Sequence, residues 1–145
     1  MPHGLGHMIG MDVHDMEDLG ENFVGYTEDM ERSTQLGLKS LRLAKALEPG
    51  FVITVEPGCY FIRELIEKYK SEGKFIDFVN YESLEKYKNF GGIRIEDDVL
   101  ITENGSKVLG NPIPKTIQEI EDIMKGQWTY WSVSIEIITF KVISI

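Results

Sequence analysis

The chain has 145 residues, of which 42% are hydrophobic and 27% are charged, and its net charge is −9. This acidic balance argues against nucleic acid as a partner, because binding to phosphates needs a basic surface. A single cysteine, Cys59, excludes an internal disulfide and favours a reducing, cytoplasmic compartment. The sequence shows no signal peptide and no apolar segment suited to a bilayer, so we expect no membrane partner.

The first elements in chain order are a helix and a strand. Residues 37–47 place leucines near helical spacing before a Pro-Gly pair, which predicts a helix that stops there. FVITV, residues 51–55, is apolar and β-branched and predicts a buried strand that ends at Glu56. Short charged helices are predicted for residues 63–69 and 83–87.

The last elements are a hairpin, a helix and a tail. Residues 91–109 alternate in hydrophobicity around the turn pair Asn104-Gly105, which predicts a hairpin. Thr116 and Glu119 form a capping box that opens a helix. Residues 126–145 are rich in β-formers, and they predict either an extra edge strand or an extension prone to aggregate.

All three histidines, His3, His7 and His14, lie among the first fifteen residues. The four-residue spacing of His3 and His7 does not make a helical zinc motif, because glycines separate them and no glutamate follows His3. In an extended chain the two rings would lie about 13 Å apart and could flank a cleft. Surface histidines on a flexible terminus are an equally good interpretation.

Two further places could carry chemistry. Glu56 ends a buried strand just before a turn, where open sites are often built, although most acids in such positions are ordinary. Period two puts Arg94 and Glu96 on one face of a strand, where they could simply pair. The alternative is a metal-binding Glu96 beside an arginine that holds an anion.

Four strings carry a resemblance to a known family. They are HMIGMDVH (residues 7–14), GLKSLR (37–42), TVEPG (54–58) and GGIRIEDD (91–98). In this order they resemble the catalytic half of the pita-bread metallopeptidases, and most of all the eukaryotic-type prolidases. The resemblance covers residues 1–125 and leaves the tail, residues 126–145, outside it. It implies an α+β fold, part of a creatinase/aminopeptidase-like domain with a curved, mostly antiparallel sheet and flanking helices.

The resemblance also implies roles by position. It implies two divalent metal ions, usually manganese, with His7, Glu56 and Glu96 among the ligands. The ions would activate a water for attack on an Xaa-Pro dipeptide, with Glu56 carrying the proton and His14 assisting. The substrate would be contacted by four side chains, of which Arg42 grips its carboxylate; the four are His3, His14, Arg42 and Arg94.

This sequence departs from the family at the metal centre. The family has five protein ligands, and the two aspartates that precede the histidine motif are not in the sequence. The resemblance therefore implies a truncated site, little activity of the isolated chain, and association as a homodimer or with an upstream half. The alternatives are a non-catalytic half-domain used for docking or oligomerisation, and an aminopeptidase P-like enzyme.

Overall fold

Two antiparallel sheets organise residues 1–125, the part of the chain that this computed structural model describes. A three-stranded sheet has the order β1-β4-β5, and a two-stranded sheet pairs β2 with β3. The strands are β1 (Val52–Val55), β2 (Gly58–Tyr60), β3 (Gly92–Arg94), β4 (Asp97–Thr102) and β5 (Gly105–Val108). The helices are α1 (Glu21–Gly25), α2 (Arg63–Ser71), α3 (Tyr81–Leu84) and α4 (Ile117–Met124).

Strand β1 is buried at its centre, as its apolar, β-branched sequence predicts. Ile53 and Thr54 are buried, and Val52 to Val55 pair with β4 in the register Val52↔Leu100 to Val55↔Asp97. The predicted hairpin is confirmed, but its turn is at Glu103-Asn104, one residue earlier than predicted, because Gly105, in β5, already pairs with Thr102. Together with the pairing of β2 and β3, these ladders give the mixed α and antiparallel β architecture that the sequence predicts.

The N-terminal segment, residues 5–9, lies along the free edge of β1. The amides of Glu56, Thr54 and Ile9 bond across this edge to Leu5, His7 and Val52, at 2.8, 2.9 and 2.9 Å. Gly6 sits where the two backbones approach most closely, since a Cβ built on it would lie 1.8 Å from the carbonyl oxygen of Thr54. The absence of a side chain at this position permits the pairing.

The helices around this sheet match the predictions at three places and contradict them at one. Helix α2 forms where predicted, and Thr116 opens α4 with both capping-box bonds to Glu119. The helix predicted for residues 83–87 starts two residues earlier, as α3, and continues as a 3₁₀ turn over Glu85–Tyr87. The helix predicted for residues 37–47 is wrong, because only a 3₁₀ turn forms at Leu38–Ser40. The chain then runs past Gly25, whose carbonyl accepts a bond from the amide of Ala44, and this pairing excludes a helix.

Few apolar side chains are deeply buried in the described part of the chain. Within residues 1–125 the buried hydrophobic residues are Ile53, Ile66 and Val99, while Phe23, Phe78 and others are exposed. None of the helices in this part has the length and apolar character needed to cross a bilayer. The predicted β-rich tail, residues 126–145, lies outside the described residues.

Replacing Gly6 with alanine tests the pairing of residues 5–9 with β1. The new methyl group must push the two backbones apart, so we expect the free energy of unfolding in urea to fall by about 1–3 kcal/mol. Gly4→Ala is the matched control, because its Cβ would meet nothing closer than 3.2 Å. Equal stability of the two variants would contradict the assigned close approach.

Candidate metal centre

Three side chains from distant parts of the chain converge beside β1. One donor atom each of His7, Glu56 and Glu96 lies within 4.8 Å of the other two. His7 comes from the N-terminal segment, Glu56 directly follows β1, and Glu96 lies between β3 and β4. The backbone pairing on both edges of β1 therefore brings them together.

The ring of His7 has a fixed orientation. Its Nδ1 lies 2.9 Å from the carbonyl oxygen of Met8, which can only accept, so Nδ1 carries the proton. The lone pair of Nε2 is then available, and Nε2 lies 3.5 Å from Oε1 of Glu56. His7 is 3% exposed, so this nitrogen faces the cleft and not bulk water. A histidine ligand held by a hydrogen bond on its other nitrogen is the usual arrangement in metal sites.

The hydroxyl of Thr54 ties His7 to Glu56. It accepts a bond from the His7 amide at 2.9 Å and donates one to Glu56 Oε1 at 3.1 Å. Thr54 is 1% exposed, the most buried side chain of the described part. The sequence analysis missed Thr54, and the available signal was a single hydroxyl within an otherwise apolar strand.

Arg94 neutralises Glu56 from the other side. Its Nη1 donates to Glu56 Oε2 at 2.7 Å, so the ion pair predicted as a possibility for Arg94 forms with Glu56 and not with Glu96. The pKa of Glu96 is raised, first because its carboxyl group is partly desolvated although the residue as a whole is exposed, and then by the charge of Glu56. Two ionised carboxylates that face one cleft repel each other, and a cation between them removes this repulsion.

Tyr60 continues the hydrogen-bond chain from Arg94 to His3. The Nε of Arg94 donates to the Tyr60 oxygen at 2.9 Å, and this hydroxyl lies 2.6 Å from Nε2 of His3. His3 Nδ1 faces the carbonyl of Gly4 at 2.7 Å, so Nδ1 is the donor and Nε2 accepts from Tyr60. The sequence analysis missed Tyr60; its place in β2, two residues beyond Gly58, was the signal.

Two glycines make room for the Tyr60 ring. Cβ atoms built on Gly58 and Gly92 would each lie 2.5 Å from atoms of that ring. Gly58 pairs with Arg94 and Gly92 pairs with Tyr60 across the β2–β3 ladder. The ring therefore lies over both glycines, and its hydroxyl is fixed between His3 and Arg94.

His14 and Arg42 extend the site beyond His7. The rings of His7 and His14 meet edge to face at 4.4 Å, and Arg42 Nη1 donates to His14 Nε2 at 2.6 Å. Partial burial lowers the pKa of His14, and the charge of Arg42 lowers it further. All seven side chains singled out from the sequence therefore belong to two connected groups: His3, His7, Glu56, Arg94 and Glu96 in one, and His14 and Arg42 in the other.

The donor set fits a divalent cation. Two carboxylates and one neutral imidazole supply oxygen and nitrogen ligands with a combined charge of −2, a set suited to manganese, zinc or related ions. The available Nε2 lone pair of His7 and the mutual repulsion of Glu56 and Glu96 both favour a cation between them. No other group of three such donors occurs among residues 1–125.

Comparison with known proteins identifies the family. The model of metallopeptidase family M24 matches residues 1–103. The chain belongs to this family, which confirms the resemblance to pita-bread metallopeptidases and the fold class inferred from it.

Curated relatives are similar over most of this chain. It is 48% identical to the Xaa-Pro dipeptidase of Rattus norvegicus and 46% identical to that of Homo sapiens, over 126 residues in each case. It is also 44% identical to a probable Xaa-Pro aminopeptidase of Phaeosphaeria nodorum. The two dipeptidase alignments cover 87% of this chain but 24% of the relative, so the chain spans about a quarter of their length.

A solved structure of aminopeptidase P from E. coli with the inhibitor Pro-Leu is also similar. It is 32% identical, with a TM-score of 0.48, and the match covers 86% of this chain and 20% of that one.

Replacing Thr54 with valine tests the link between His7 and Glu56. The isosteric change leaves the buried His7 amide without an acceptor, so we expect a loss of about 1–3 kcal/mol in the free energy of unfolding. The His7 amide should also exchange its hydrogen faster. Thr102→Val, at an exposed position of β4, is the matched control and should change neither quantity. An unaltered exchange rate at His7 in Thr54→Val would contradict the assigned bond.

Proposed function

We propose that this chain supplies the metal-binding and substrate-binding groups of an Xaa-Pro dipeptidase. The observation that carries the proposal is the convergence of His7, Glu56 and Glu96 within 4.8 Å. Membership of metallopeptidase family M24 and the 48% sequence identity to an Xaa-Pro dipeptidase support metal-dependent peptide hydrolysis. The substrate would be a dipeptide whose second residue is proline.

In this proposal His7, Glu56 and Glu96 hold divalent metal, with manganese as the metal of choice. The resemblance implies two ions and further carboxylate ligands, so these three donors form part of a dinuclear centre. When bound, the metal would polarise the scissile carbonyl and make a water acidic enough to attack near neutral pH. The hydrogen bond from His7 to Met8 and that from Thr54 to Glu56 support the role of these groups by orienting them.

Glu56 is the proposed proton carrier, and its two oxygens differ. Oε2 is held by the charged Nη1 of Arg94 at 2.7 Å, whereas Oε1 accepts from the neutral hydroxyl of Thr54 at 3.1 Å. A proton arriving on Oε2 would have to displace a charge-assisted bond. Oε1 is therefore the oxygen that would take the proton and pass it to the leaving proline nitrogen.

Arg42 and His14 are the proposed anchors for the dipeptide. Arg42 presents a planar, permanently charged group suited to the C-terminal carboxylate. His14 joins it to the metal centre, since its ring contacts both His7 and the Arg42 guanidinium. Arg94 and His3, linked through Tyr60, would line the opposite side of the cleft.

Two other functions are supported by specific observations. The similarity to a probable Xaa-Pro aminopeptidase favours an aminopeptidase P-like preference for longer peptides as one alternative. The few buried apolar residues and the exposed Phe23 and Phe78 favour a docking or oligomerisation module as the other. In that case the chain would associate with a second copy or with an upstream half. The cytoplasmic location stays a prediction from the single cysteine.

Manganese binding tests the proposed ligands. We expect His7→Ala and Glu96→Gln each to weaken Mn²⁺ binding by at least about tenfold, because each removes a donor from the cluster. Titration calorimetry at fixed pH measures the affinity. Glu103→Gln, at an exposed carboxylate in the turn after β4, is the control and should bind as the wild type does. Unchanged binding in both ligand variants would contradict the metal centre and favour the docking alternative.

Hydrolysis of Gly-Pro in the presence of Mn²⁺ tests whether the isolated chain has dipeptidase activity. The described residues 1–125 bring three donors together, whereas the resemblance implies five ligands, so we expect little or no release of proline. The measurement is a proline assay, with Gly-Pro-Ala as the competing substrate. Rapid turnover abolished by Glu56→Gln would show that three donors are sufficient, and faster cleavage of the tripeptide would favour the aminopeptidase alternative.

A further inference from the structure

Two carboxylates that the proposed reaction does not use lie against Arg42. Oε2 of Glu17 is 3.6 Å from the Arg42 Nε, and Oε1 of Glu21 is 3.5 Å from the same nitrogen. The same Glu17 oxygen lies 3.7 Å from Nδ1 of His14. The guanidinium that would receive a substrate carboxylate therefore already faces two acids of its own chain.

The backbone and a second arginine hold these acids in place. Glu17 begins a 3₁₀ turn after Met16, whose φ of 55° turns the chain back towards His14. The Glu17 side chain is only 16% exposed. Glu21 is bound at 2.8 Å by Arg32, and Arg32 is itself fixed through bonds to the carbonyls at positions 39 and 41. Both carboxylates are therefore held next to Arg42 by other contacts.

We infer that Glu17 and Glu21 determine specificity by competing with a ligand carboxylate for Arg42. This inference rests on the proposed function in one respect, the role of Arg42 as the carboxylate anchor. A ligand with a free C-terminal carboxylate must displace Glu17 and Glu21 from the Arg42 Nε before it can pair there. A ligand with an amidated C-terminus makes no such demand. The wild-type chain should therefore prefer the free carboxylate over the amide by a smaller factor than a variant without the two acids.

The size of the effect follows from the exposure of the ion pairs. The side chains of Arg42 and Glu21 are 35% and 36% exposed, so each pair is weak and a ligand can displace it. Removing both negative charges should strengthen carboxylate binding by about twofold to thirtyfold. Binding of an amide should hardly change.

Chemical labelling of Arg42 tests this competition. An arginine-selective dicarbonyl would be applied to the wild-type chain, E17Q and E17Q/E21Q, and the labelled fraction read by peptide mass spectrometry. Gly-Pro and Gly-Pro amide would be titrated as protecting ligands. Arg63, which pairs with Glu67 on α2, is the internal reference. Glu28→Gln, an exposed acid in the same segment, is the control for a simple change in net charge.

The expected result is protection of Arg42 by Gly-Pro at about twofold to thirtyfold lower concentration in E17Q/E21Q than in the wild type, with E17Q intermediate. Gly-Pro amide should protect all variants alike, and Glu28→Gln should match the wild type. Equal protection in all variants, or no protection of Arg42 in any of them, would overturn the inference. Mn²⁺ binding is measured on the same samples to separate the metal centre from the competition for Arg42. If the wild-type chain does not bind Mn²⁺, that result counts against the metal centre alone.

Discussion

The pairing of residues 5–9 with the free edge of β1 is the interaction on which the rest of the site depends. Three backbone bonds hold the two segments together, and Gly6 lets them approach where any side chain would collide with Thr54. This pairing places the His7 ring beside Glu56, and the Thr54 hydroxyl then fixes both. The other edge of β1 pairs with β4, just beyond Glu96, so one short strand joins all three donors.

Charge balance is the second constraint on the site. Glu56 and Glu96 face each other in one cleft, and only part of their charge is offset by Arg94. The position of Arg94 is fixed through Tyr60, which in turn fixes His3, so the positive group cannot move across to Glu96 without breaking this chain. A divalent cation between the carboxylates would complete the balance, and this explains why an acidic cluster is tolerated beside a buried histidine.

In the described part of the chain the buried polar atoms are satisfied, but the apolar core is small. No buried polar side-chain atom among residues 1–125 lacks a hydrogen-bond partner. In contrast, every residue of the outer strand β5 is exposed, and the buried apolar residues are few. An exposed strand edge can accept another strand, which gives the docking alternative a physical basis. The chain belongs to family M24 and spans about a quarter of the length of its curated relatives.

The sequence by itself determined those elements whose signals are local. The apolar strand before Glu56, the hairpin of β4 and β5 and the capping box at Thr116 all formed where predicted, with the hairpin turn one residue earlier than expected. Backbone propensity and turn chemistry act over only a few residues, so such elements can be recognised locally. Most of the site residues were only candidates in the sequence pattern, since no spacing relates His7 to Glu56, and the resemblance alone gave them a shared role. Tertiary structure alone decided that residues 37–47 are not a helix, that Arg94 pairs with Glu56, and that Thr54 and Tyr60 belong to the site. Each of these outcomes depends on contacts between segments far apart in the chain, which local periodicity does not record.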